Sequence, residues 1–411
     1  MFRIRVGLLS VSLLVAAGCS SSPDAAPGTS TSVSTTAATS STTTTTMATT
    51  TTSTTTTSTT TTTIGSPTGR PLLAGMPQLT DAKNVYAETG TDKMAASNVG
   101  IKPLVYVPSN NSNDVTVIDP ATFQVIDRYS TGAVPQHVVP SWDMTTLYVN
   151  NNSGNSLTPI DPKTGKPGPN IAVDDPYNLY FTPDGKYALV MEERNNTIAV
   201  RDAKTFAEVK KVKTPCRGVN HADYSIDGSY LIASCEFSSQ LIKFDVTTLE
   251  VVAERTIPGS VPQDVRVMSD GLTYLVADNA KAGVHVVDGE RFEVIGFIPT
   301  GAGAHGIYPS RNAKAMYVSN RLAGSVSVID QATRQVTFTY FIPGGGSPDM
   351  GSVSADGLVL WLSGRYHNVV YAIDVLEWKL LARIPVGSAP HGLTYFPQPG
   401  RYSLGHTGNY R

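Results

Sequence analysis

The feature that most constrains the fold is a unit of about 42 residues that recurs seven times. Each copy contains an alternating strand, a polar turn and a second strand that closes on an aspartate. The closing residues are Asp119, Asp161, Asp202, Asp245, Asp288, Asp330 and Asp374. They are 42, 41, 43, 43, 42 and 44 residues apart, which is the period of propeller blades. The sequence therefore predicts an all-β, seven-bladed β-propeller with four-stranded blades over residues 101–398.

Tight turns and the two ends of the repeat region support this prediction. Asp-Gly pairs supply the positive backbone angles that hairpins need, and they lie at Asp184-Gly185, Asp227-Gly228, Asp270-Gly271 and Asp356-Gly357. The repeats begin at Leu104 in the second strand of a blade, and residues 390–396 resemble a first strand without followers. We expect these strands to pair and close the ring, which removes open sheet edges. Residues 67–100 contain no repeat and either pack across the propeller or stay loose, and residues 399–411 form a tail.

Several units carry a signature of one kind of repeat. The copies that show it most clearly are Tyr148-Val149-Asn150-Asn151, Tyr317-Val318-Ser319-Asn320, Val326-Ser327-Val328-Ile329-Asp330 and Pro390-His391-Gly392. These units resemble the YVTN-type repeats of bacterial secreted seven-bladed propellers over residues 101–397. The resemblance implies the fold but not one function, because propellers host many activities. Some seven-bladed relatives with similar repeats are lactonases.

Residues 1–19 have the organisation of a targeting segment. Arg3 and Arg5 precede an apolar run, residues 6–17, that is too short to span a membrane as a helix. The run leads into Leu14-Val15-Ala16-Ala17-Gly18-Cys19. Small residues before a cysteine resemble the lipobox of bacterial lipoproteins, although Ala16 stands where leucine is usual. The resemblance implies cleavage before Cys19 and its acylation. The alternative is an ordinary secretion signal followed by a chance cysteine, and both interpretations predict export.

Residues 20–66 are rich in serine and threonine. A segment with so few apolar groups cannot bury enough surface to offset its ordering entropy, so we expect it to be disordered. Its composition resembles that of O-glycosylated stalks. Its core, residues 29–63, is almost only serine and threonine and would span on the order of 100 Å if fully extended. It is either a spacer that lifts a domain through the cell envelope or a linker of no particular length.

Charge and motifs narrow the function classes. The chain has 31 basic and 33 acidic residues, a formal net charge of −2, so nucleic acid is not an expected partner. No G-x-S-x-G elbow, phosphate-binding glycine loop or C-x-x-C-H haem motif occurs, and no cofactor is predicted.

Cys216 and Cys235 are the two cysteines that would remain beside an acylated Cys19. In an oxidising compartment such a pair favours a disulfide. A hairpin turning at residues 227–228 brings both to one end, near His221. Two free thiols or a Cys-Cys-His metal site are the alternatives.

Aligning the blades on their turns places one polar residue per blade at the start of the strand that lines the channel. These residues are His137, Asn178, His221, Asp264, His305, Asp349 and His391, with Met350 as an alternative to Asp349. They include four of the seven histidines in the chain. The ring is structural, with imidazoles bonded to neighbouring blades, or binds an anionic or polar ligand, or binds a metal. The metal interpretation is the least favoured, because the spacing across a seven-bladed channel is expected to be wide and no HxH or HxxxH pair occurs.

Loops on the same face carry Arg194, Arg321 and Arg365, which either rim a polar pocket or simply face water. The function predicted is that of an exported, lipid-anchored, non-enzymatic module, expected to be monomeric. The membrane is its anchoring partner, on the outer side of the cytoplasmic membrane or at the cell surface, and a small molecule or protein binds the top face. A lactonase-like hydrolase or isomerase is the first alternative. An envelope metal-binding protein that uses the histidine ring is the second.

Overall fold

The computed structural model describes residues 65–411. The signal segment, Cys19 and the stalk through residue 64 lie outside the described residues. The described part forms seven antiparallel sheets around a central channel, and the predicted all-β, seven-bladed propeller is confirmed. Two short 3₁₀ helices accompany the strands, Ala96–Asn98 and Glu236–Ser238. Within residues 65–411, no helix is long and apolar enough to cross a membrane.

In chain order the strands are β1 (Leu104–Ser109), β2 (Asp114–Asp119), β3 (Gln124–Ser130), β4 (Pro135–Pro140), β5 (Leu147–Asn151), β6 (Ser156–Asp161), β7 (Lys166–Pro167), β8 (Ile171–Ala172), β9 (Pro176–Phe181), β10 (Tyr187–Glu192), β11 (Thr197–Asp202), β12 (Glu208–Lys213), β13 (Val219–Tyr224), β14 (Tyr230–Cys235), β15 (Gln240–Asp245), β16 (Glu250–Thr256), β17 (Pro262–Val267), β18 (Thr273–Asp278), β19 (Gly283–Asp288), β20 (Glu293–Pro299), β21 (Ala304–Pro309), β22 (Ala315–Asn320), β23 (Ser325–Asp330), β24 (Gln335–Phe341), β25 (Pro348–Val353), β26 (Val359–Gly364), β27 (Val369–Asp374), β28 (Lys379–Pro385) and β29 (Thr394–Phe396). Blade 1 contains β29 and β1 to β3, and blade 2 contains β4 to β8. Blades 3 to 7 each contain the next four strands.

Burial decreases from the channel outward within each blade. The inner strands, such as β9, β13 and β17, are buried at every residue, whereas the outer strand β20 is mostly exposed. Inner strands are covered on both faces by neighbouring blades, so they can hold a side chain of any polarity in a fixed position. The channel therefore provides rigid supports for the ring residues.

The ring closes through its two distant ends. β29 pairs antiparallel with β1, and the partners are Leu104 with Phe396, Val105 with Tyr395, and Tyr106 with Thr394. This pairing adds the fourth strand to the sheet of blade 1, as the sequence predicts, and leaves no open sheet edge between the first and last blades.

Residues 67–100 pack on the propeller rather than remaining loose. The Leu73 amide donates to the Asp227 carbonyl at 2.8 Å, and the Tyr86 hydroxyl donates to the Val267 carbonyl at 2.5 Å. Arg70 pairs with the buried Asp227 carboxylate at 2.8 Å. These bonds attach the segment to the turns and inner strands of blades 4 and 5.

Residues 399–411 turn into the channel. The His406 amide donates to the Leu179 carbonyl at 3.0 Å, and the Asn409 side chain donates to the Ala222 carbonyl at 3.1 Å. Arg411 pairs with Asp223 at 2.6 Å. Since these partners lie on the inner strands of blades 3 and 4, the segment forms the floor of the channel.

Two deletions separate closure of the ring from closure of the floor. Removing residues 390–411 exposes the β1 edge and the apolar face that β29 covers, so we expect aggregation and loss of cooperative unfolding. Removing only residues 402–411 keeps β29, and we expect a soluble protein with a lowered melting temperature. Size-exclusion chromatography and thermal circular dichroism measure both outcomes. A soluble 390–411 deletion with an unchanged melt would contradict the closure.

Candidate functional site

The inner strands begin with an irregular pairing that directs side chains into the channel. In blade 2, Pro135 pairs with Asn151 and Val138 pairs with Val149, so two residues of β4 oppose one residue of β5. The same two-against-one pairing occurs at the start of β13, β17, β21 and β25. Such bulges redirect side chains next to functional sites.

The turn alignment assumes that the ring residues occupy the same position in every inner strand, and the bulges explain why they do not. The ring residues His137, Asn178, His221 and Asp264 are the third residues of their strands, but His305 and Asp349 are the second. His391 follows Pro390 just before β29. Because the pleat is broken there, residues of either position reach the channel.

Four ring histidines lie in mutual contact. The ring centroids of His137 and His221 are 5.5 Å apart, and those of His221 and His305 are 6.0 Å apart. His305 lies 5.6 Å from His391, which lies 4.8 Å from His137. The expectation of wide spacing is therefore wrong, because the side chains extend inward from the strands and converge on the channel axis.

The C-terminal floor contributes a fifth imidazole, His406, which the sequence analysis missed. Its ring lies 5.2 Å from both His137 and His221. His406 stands outside the repeats, so blade alignment could not identify it. The local signal is the preceding Gly405, whose φ of +95° allows the tight approach to β9.

Each of three ring histidines uses one nitrogen for support. His137 Nδ1 donates to the Tyr177 carbonyl at 2.9 Å, and His391 Nδ1 donates to the Gln136 carbonyl at 3.2 Å. His221 Nδ1 bonds the Asn220 side-chain oxygen at 3.1 Å. The first two bonds reach a neighbouring blade, which is the contact that the structural interpretation predicts. The other nitrogens of His137 and His221, both Nε2, are buried and have no hydrogen-bond partner among residues 65–411.

Burial keeps the five imidazoles uncharged; we call these histidines, with the ring residues that contact them, the cluster. Burial lowers the pKa of His137, His221, His305, His391 and His406 well below the ordinary value for histidine. At neutral pH these imidazoles are therefore neutral, and a nitrogen without a proton presents a lone pair. Such groups can accept a hydrogen bond or ligate a metal.

Asp349 joins two of the histidines to the loop arginines. Its carboxylate lies 3.3 Å from His305 Nδ1 and 3.6 Å from His391 Nε2. Arg321 approaches it at 3.1 Å and Arg365 at 3.8 Å. Burial raises the pKa of Asp349, and the two guanidinium groups act in the opposite direction.

The alignment leaves Asp349 and Met350 as alternatives for one position of the ring. Asp349 faces the cluster, and the sulfur of the adjacent Met350 lies 2.9 Å from His305 Nδ1. Both candidate residues for that blade thus contact His305.

Asp264 and Asn178 hold His406. Asp264 Oδ1 lies 3.3 Å from His406 Nε2, while its Oδ2 accepts from the Ile307 amide at 2.9 Å. Asp264 Oδ2 is also 3.4 Å from the buried Arg266. The Asn178 amide nitrogen is 3.0 Å from His406 Nδ1. Both predicted ring residues are therefore part of the cluster, at its floor.

At the opposite end, which we call the mouth, the turns between second and third strands carry Glu193, Glu236, Arg321 and Arg365. The Asn220 amide donates to Glu193 at 3.3 Å and to Glu236 at 2.9 Å. Burial, together with the neighbouring Glu236, raises the pKa of Glu193 to about 8. Glu193 therefore holds a proton at neutral pH and can donate a hydrogen bond.

Arg194 does not join the cluster. Its guanidinium pairs with Asp175 at 2.7 Å and donates to the Asn152 carbonyl at 2.7 Å, and its side chain is half exposed. Of the three loop arginines singled out from the sequence, only Arg321 and Arg365 contact a ring residue.

A disulfide joins Cys216 to Cys235, with Cα atoms 6.0 Å apart. Both residues are buried; Cys216 lies in the turn before β13, and Cys235 is the last residue of β14. The bond leaves neither sulfur free for the Cys-Cys-His metal site considered above. It instead fixes the approach to the strand that carries His221.

Gly405 tests whether the floor depends on this approach. A Cβ at this position would lie 2.3 Å from the Leu179 carbonyl oxygen, and the positive φ disfavours any other residue. We expect Gly405→Ala to lower the free energy of unfolding by at least about 1 kcal/mol and to displace His406. Calorimetry measures the first effect, and labelling of the exposed imidazole by diethyl pyrocarbonate measures the second.

Gly408→Ala is the matched control for that variant. A Cβ at Gly408 would meet its nearest neighbours at 3.8 Å and 4.0 Å, which are ordinary contacts. Equal stability and equal labelling of the two variants would show that the floor does not depend on Gly405.

Solved structures of low sequence identity share this architecture. A functionally unknown protein from Desulfotomaculum acetoxidans DSM 771 is 14% identical over 71% of this chain and 98% of its own, with a TM-score of 0.59. Dihydro-heme d1 dehydrogenase NirN, in complex with DHE, is 15% identical over 73% and 75%, with a TM-score of 0.56. Kuenenia stuttgartiensis hydrazine synthase is 20% identical over 63% and 88%, with a TM-score of 0.55. At these identities the likeness shows the fold alone.

Sequence comparison identifies the family. A search of curated protein sequences finds no match. A family model described as YNCE-like beta-propeller matches residues 73–399, which include the seven blades and most of the segment before them. His406 lies beyond the matched residues. The predicted resemblance to YVTN-type propellers is confirmed, and the chain belongs to the YNCE-like β-propeller family.

Proposed function

We propose that this protein is an exported, lipid-anchored binding protein without catalytic activity, and that its ligand is held by the histidine cluster in the channel. One observation carries the proposal. Two buried imidazole nitrogens of the cluster, His137 Nε2 and His221 Nε2, have no hydrogen-bond partner in the described part of the chain.

Other buried polar atoms of the cluster do face one another. His406 Nε2 lies 3.3 Å from Asp264 Oδ1, and Arg365 Nη1 lies 3.8 Å from Asp349 Oδ2. Buried polar groups in folded proteins are normally satisfied, and each exception costs about 1–3 kcal/mol. A purely structural cluster would also pair His137 Nε2 and His221 Nε2, so these two lone pairs favour a ligand.

The geometry restricts the size and the route of this ligand. Imidazole centroids 4.8–6.0 Å apart leave room for an ion or for one end of a small molecule. The floor is filled by residues 402–411, whereas Arg321 and Arg365 at the mouth are 13% and 24% exposed. The ligand would therefore approach from the mouth, past these arginines.

The anchor rests on sequence features that precede the described residues. A lipobox-like cysteine followed by a Ser/Thr-rich stretch fits a propeller held away from a membrane. The propeller would then stand on the outer side of the cytoplasmic membrane or at the cell surface.

A thermal-shift experiment on the full-length protein tests binding. Zn²⁺, phosphate, sulfate and citrate are added separately at increasing concentration. At 100 times its Kd, a ligand of the folded state adds about 2.7 kcal/mol to the free energy of unfolding. We expect at least one probe to raise the melting temperature of the natural protein and to leave that of His221→Gln unchanged.

His285→Gln is the matched control for the thermal-shift experiment. His285 is also a buried histidine, but it pairs with Asp278 at 2.8 Å within blade 5, outside the channel. This variant should lose stability and keep the ligand-induced shift. Equal shifts for His221→Gln and the natural protein, or no shift with any probe, would contradict binding in the channel.

Membrane fractionation tests the anchor. Acylation needs the thiol of Cys19, so we expect Cys19→Ala to leave the membrane fraction or to accumulate with its leader attached. Ser20→Ala, next in the chain, should be processed and anchored normally. A Cys19→Ala protein that is cleaved and membrane-bound like the natural protein would overturn the lipoprotein assignment.

A further inference from the structure

Two groups of possible ligand atoms lie side by side in the channel. In the first, nitrogens of His137, His221 and His406 all lie within 4.8 Å of one another. In the second, atoms of His305, Asp349 and His391 do the same. All six residues are buried.

The first group has the outer contacts of a metal-binding triad. A metal-ligating histidine usually donates its other ring N–H to an oxygen, which fixes the tautomer. His137 donates Nδ1–H to the Tyr177 carbonyl, and His221 bonds Asn220 Oδ1 in the same way. Asn220 is itself oriented by Ser234, whose hydroxyl donates to the same oxygen at 2.9 Å. Nε2 of both histidines therefore carries the lone pair.

His406 completes the group after one proton moves. The Asn178 amide nitrogen donates to its Nδ1, which places the ring proton on Nε2, toward Asp264. Ligation through Nε2 transfers this proton to Nδ1. A half-turn of the Asn178 amide then presents its oxygen as the acceptor and gives up the bond that this oxygen accepts from the Leu179 amide.

Charge distinguishes the two groups. In the second group, Asp349 is already approached by Arg321 and Arg365, and both guanidinium groups would repel a cation. In the first group, the nearest carboxylate oxygen is Asp264 Oδ1, which lies 3.3 Å from His406 Nε2. Arg266 pairs with the other Asp264 oxygen, so the compensation of a bound cation by Asp264 is partial. The first group is the better cation site.

The donor set selects the metal. Three neutral imidazoles suit Zn²⁺ and Cu²⁺, whereas Ca²⁺ and Mg²⁺ require a shell of oxygen ligands. Tetrahedral Zn²⁺ with Zn–N bonds of about 2.0–2.1 Å places its nitrogens about 3.4 Å apart. Closing the group from within 4.8 Å needs movements of about 1 Å, which rotation of the imidazoles can supply.

The geometry points to a divalent transition-metal site, with Zn²⁺ as its reference ion, formed by Nε2 of His137, His221 and His406. This inference rests on the proposed function and names its ligand. The fold brings one ligand from blade 2, one from blade 4 and one from the C-terminal floor. The site therefore assembles only when the ring is closed and residues 402–411 are seated.

Metal titration of the full-length protein tests the site. Protein stripped with EDTA is titrated with Zn²⁺ in competition with a chromophoric chelator, and Co²⁺ is added to a second sample. We expect one Zn²⁺ per chain and the intense visible absorption of tetrahedral Co²⁺. His137→Gln, His221→Gln and His406→Gln should each weaken Zn²⁺ binding by more than the 10–100-fold that loss of an outer-shell partner costs.

His285→Gln again serves as the control and should bind Zn²⁺ like the natural protein. Binding that survives all three channel variants, a Co²⁺ spectrum of octahedral type, or no Zn²⁺ binding would each overturn the metal site. Should a channel variant fail to fold by circular dichroism, the Co²⁺ spectrum of the natural protein still decides.

The two proposals fail separately. If phosphate, sulfate or citrate stabilises the natural protein but not His221→Gln, and Zn²⁺ does not bind, the channel is a binding site of another class and the metal inference is wrong. If no probe binds, both proposals are wrong.

Discussion

The antiparallel pairing of β29 with β1 is the interaction on which the rest of the structure depends. Two strands nearly 300 residues apart in the chain complete one sheet, and six further sheets are then held in a ring. The residues just before β29 also bridge to blade 2, where the Val138 amide donates to the Gly392 carbonyl at 2.9 Å. Residues 392–396 therefore join the C-terminal part of the chain to blade 1 and to blade 2.

The same few residues position the cluster. A Cβ at Gly392 would lie 2.1 Å from His137 Cδ2, so the backbone at Gly392 packs directly against an imidazole. His391, one residue earlier, donates its ring N–H to the carbonyl of Gln136, which precedes His137 in β4. The residues that close the ring thus set the positions of two of its histidines, which is why fold and site cannot be varied independently here.

Repetition explains both what the sequence could predict and what it could not. Seven in-phase copies predict the blades, the closing strand and a common position for His137, His221 and their equivalents. The repeats could not predict which residue of β25 enters the cluster, because the bulge in that strand places both Asp349 and Met350 there. The wide spacing expected for the ring was wrong, since it treated strand positions as if they were side-chain positions. His406 was missed because it belongs to no repeat.

The energetic balance of the channel favours a functional cluster over a purely structural one. Two imidazole nitrogens of the cluster, His137 Nε2 and His221 Nε2, are buried without a hydrogen-bond partner among the described residues. At about 1–3 kcal/mol each, their cost is a substantial part of the net stability of a folded protein, roughly 5–15 kcal/mol. The chain tolerates this cost because other contacts hold the walls in place: the closing strand, the Cys216–Cys235 bond and the Arg411–Asp223 pair. A ligand that paired both nitrogens would recover this cost, and rigid walls around two unpaired imidazole lone pairs are what tight binding of a small ion requires.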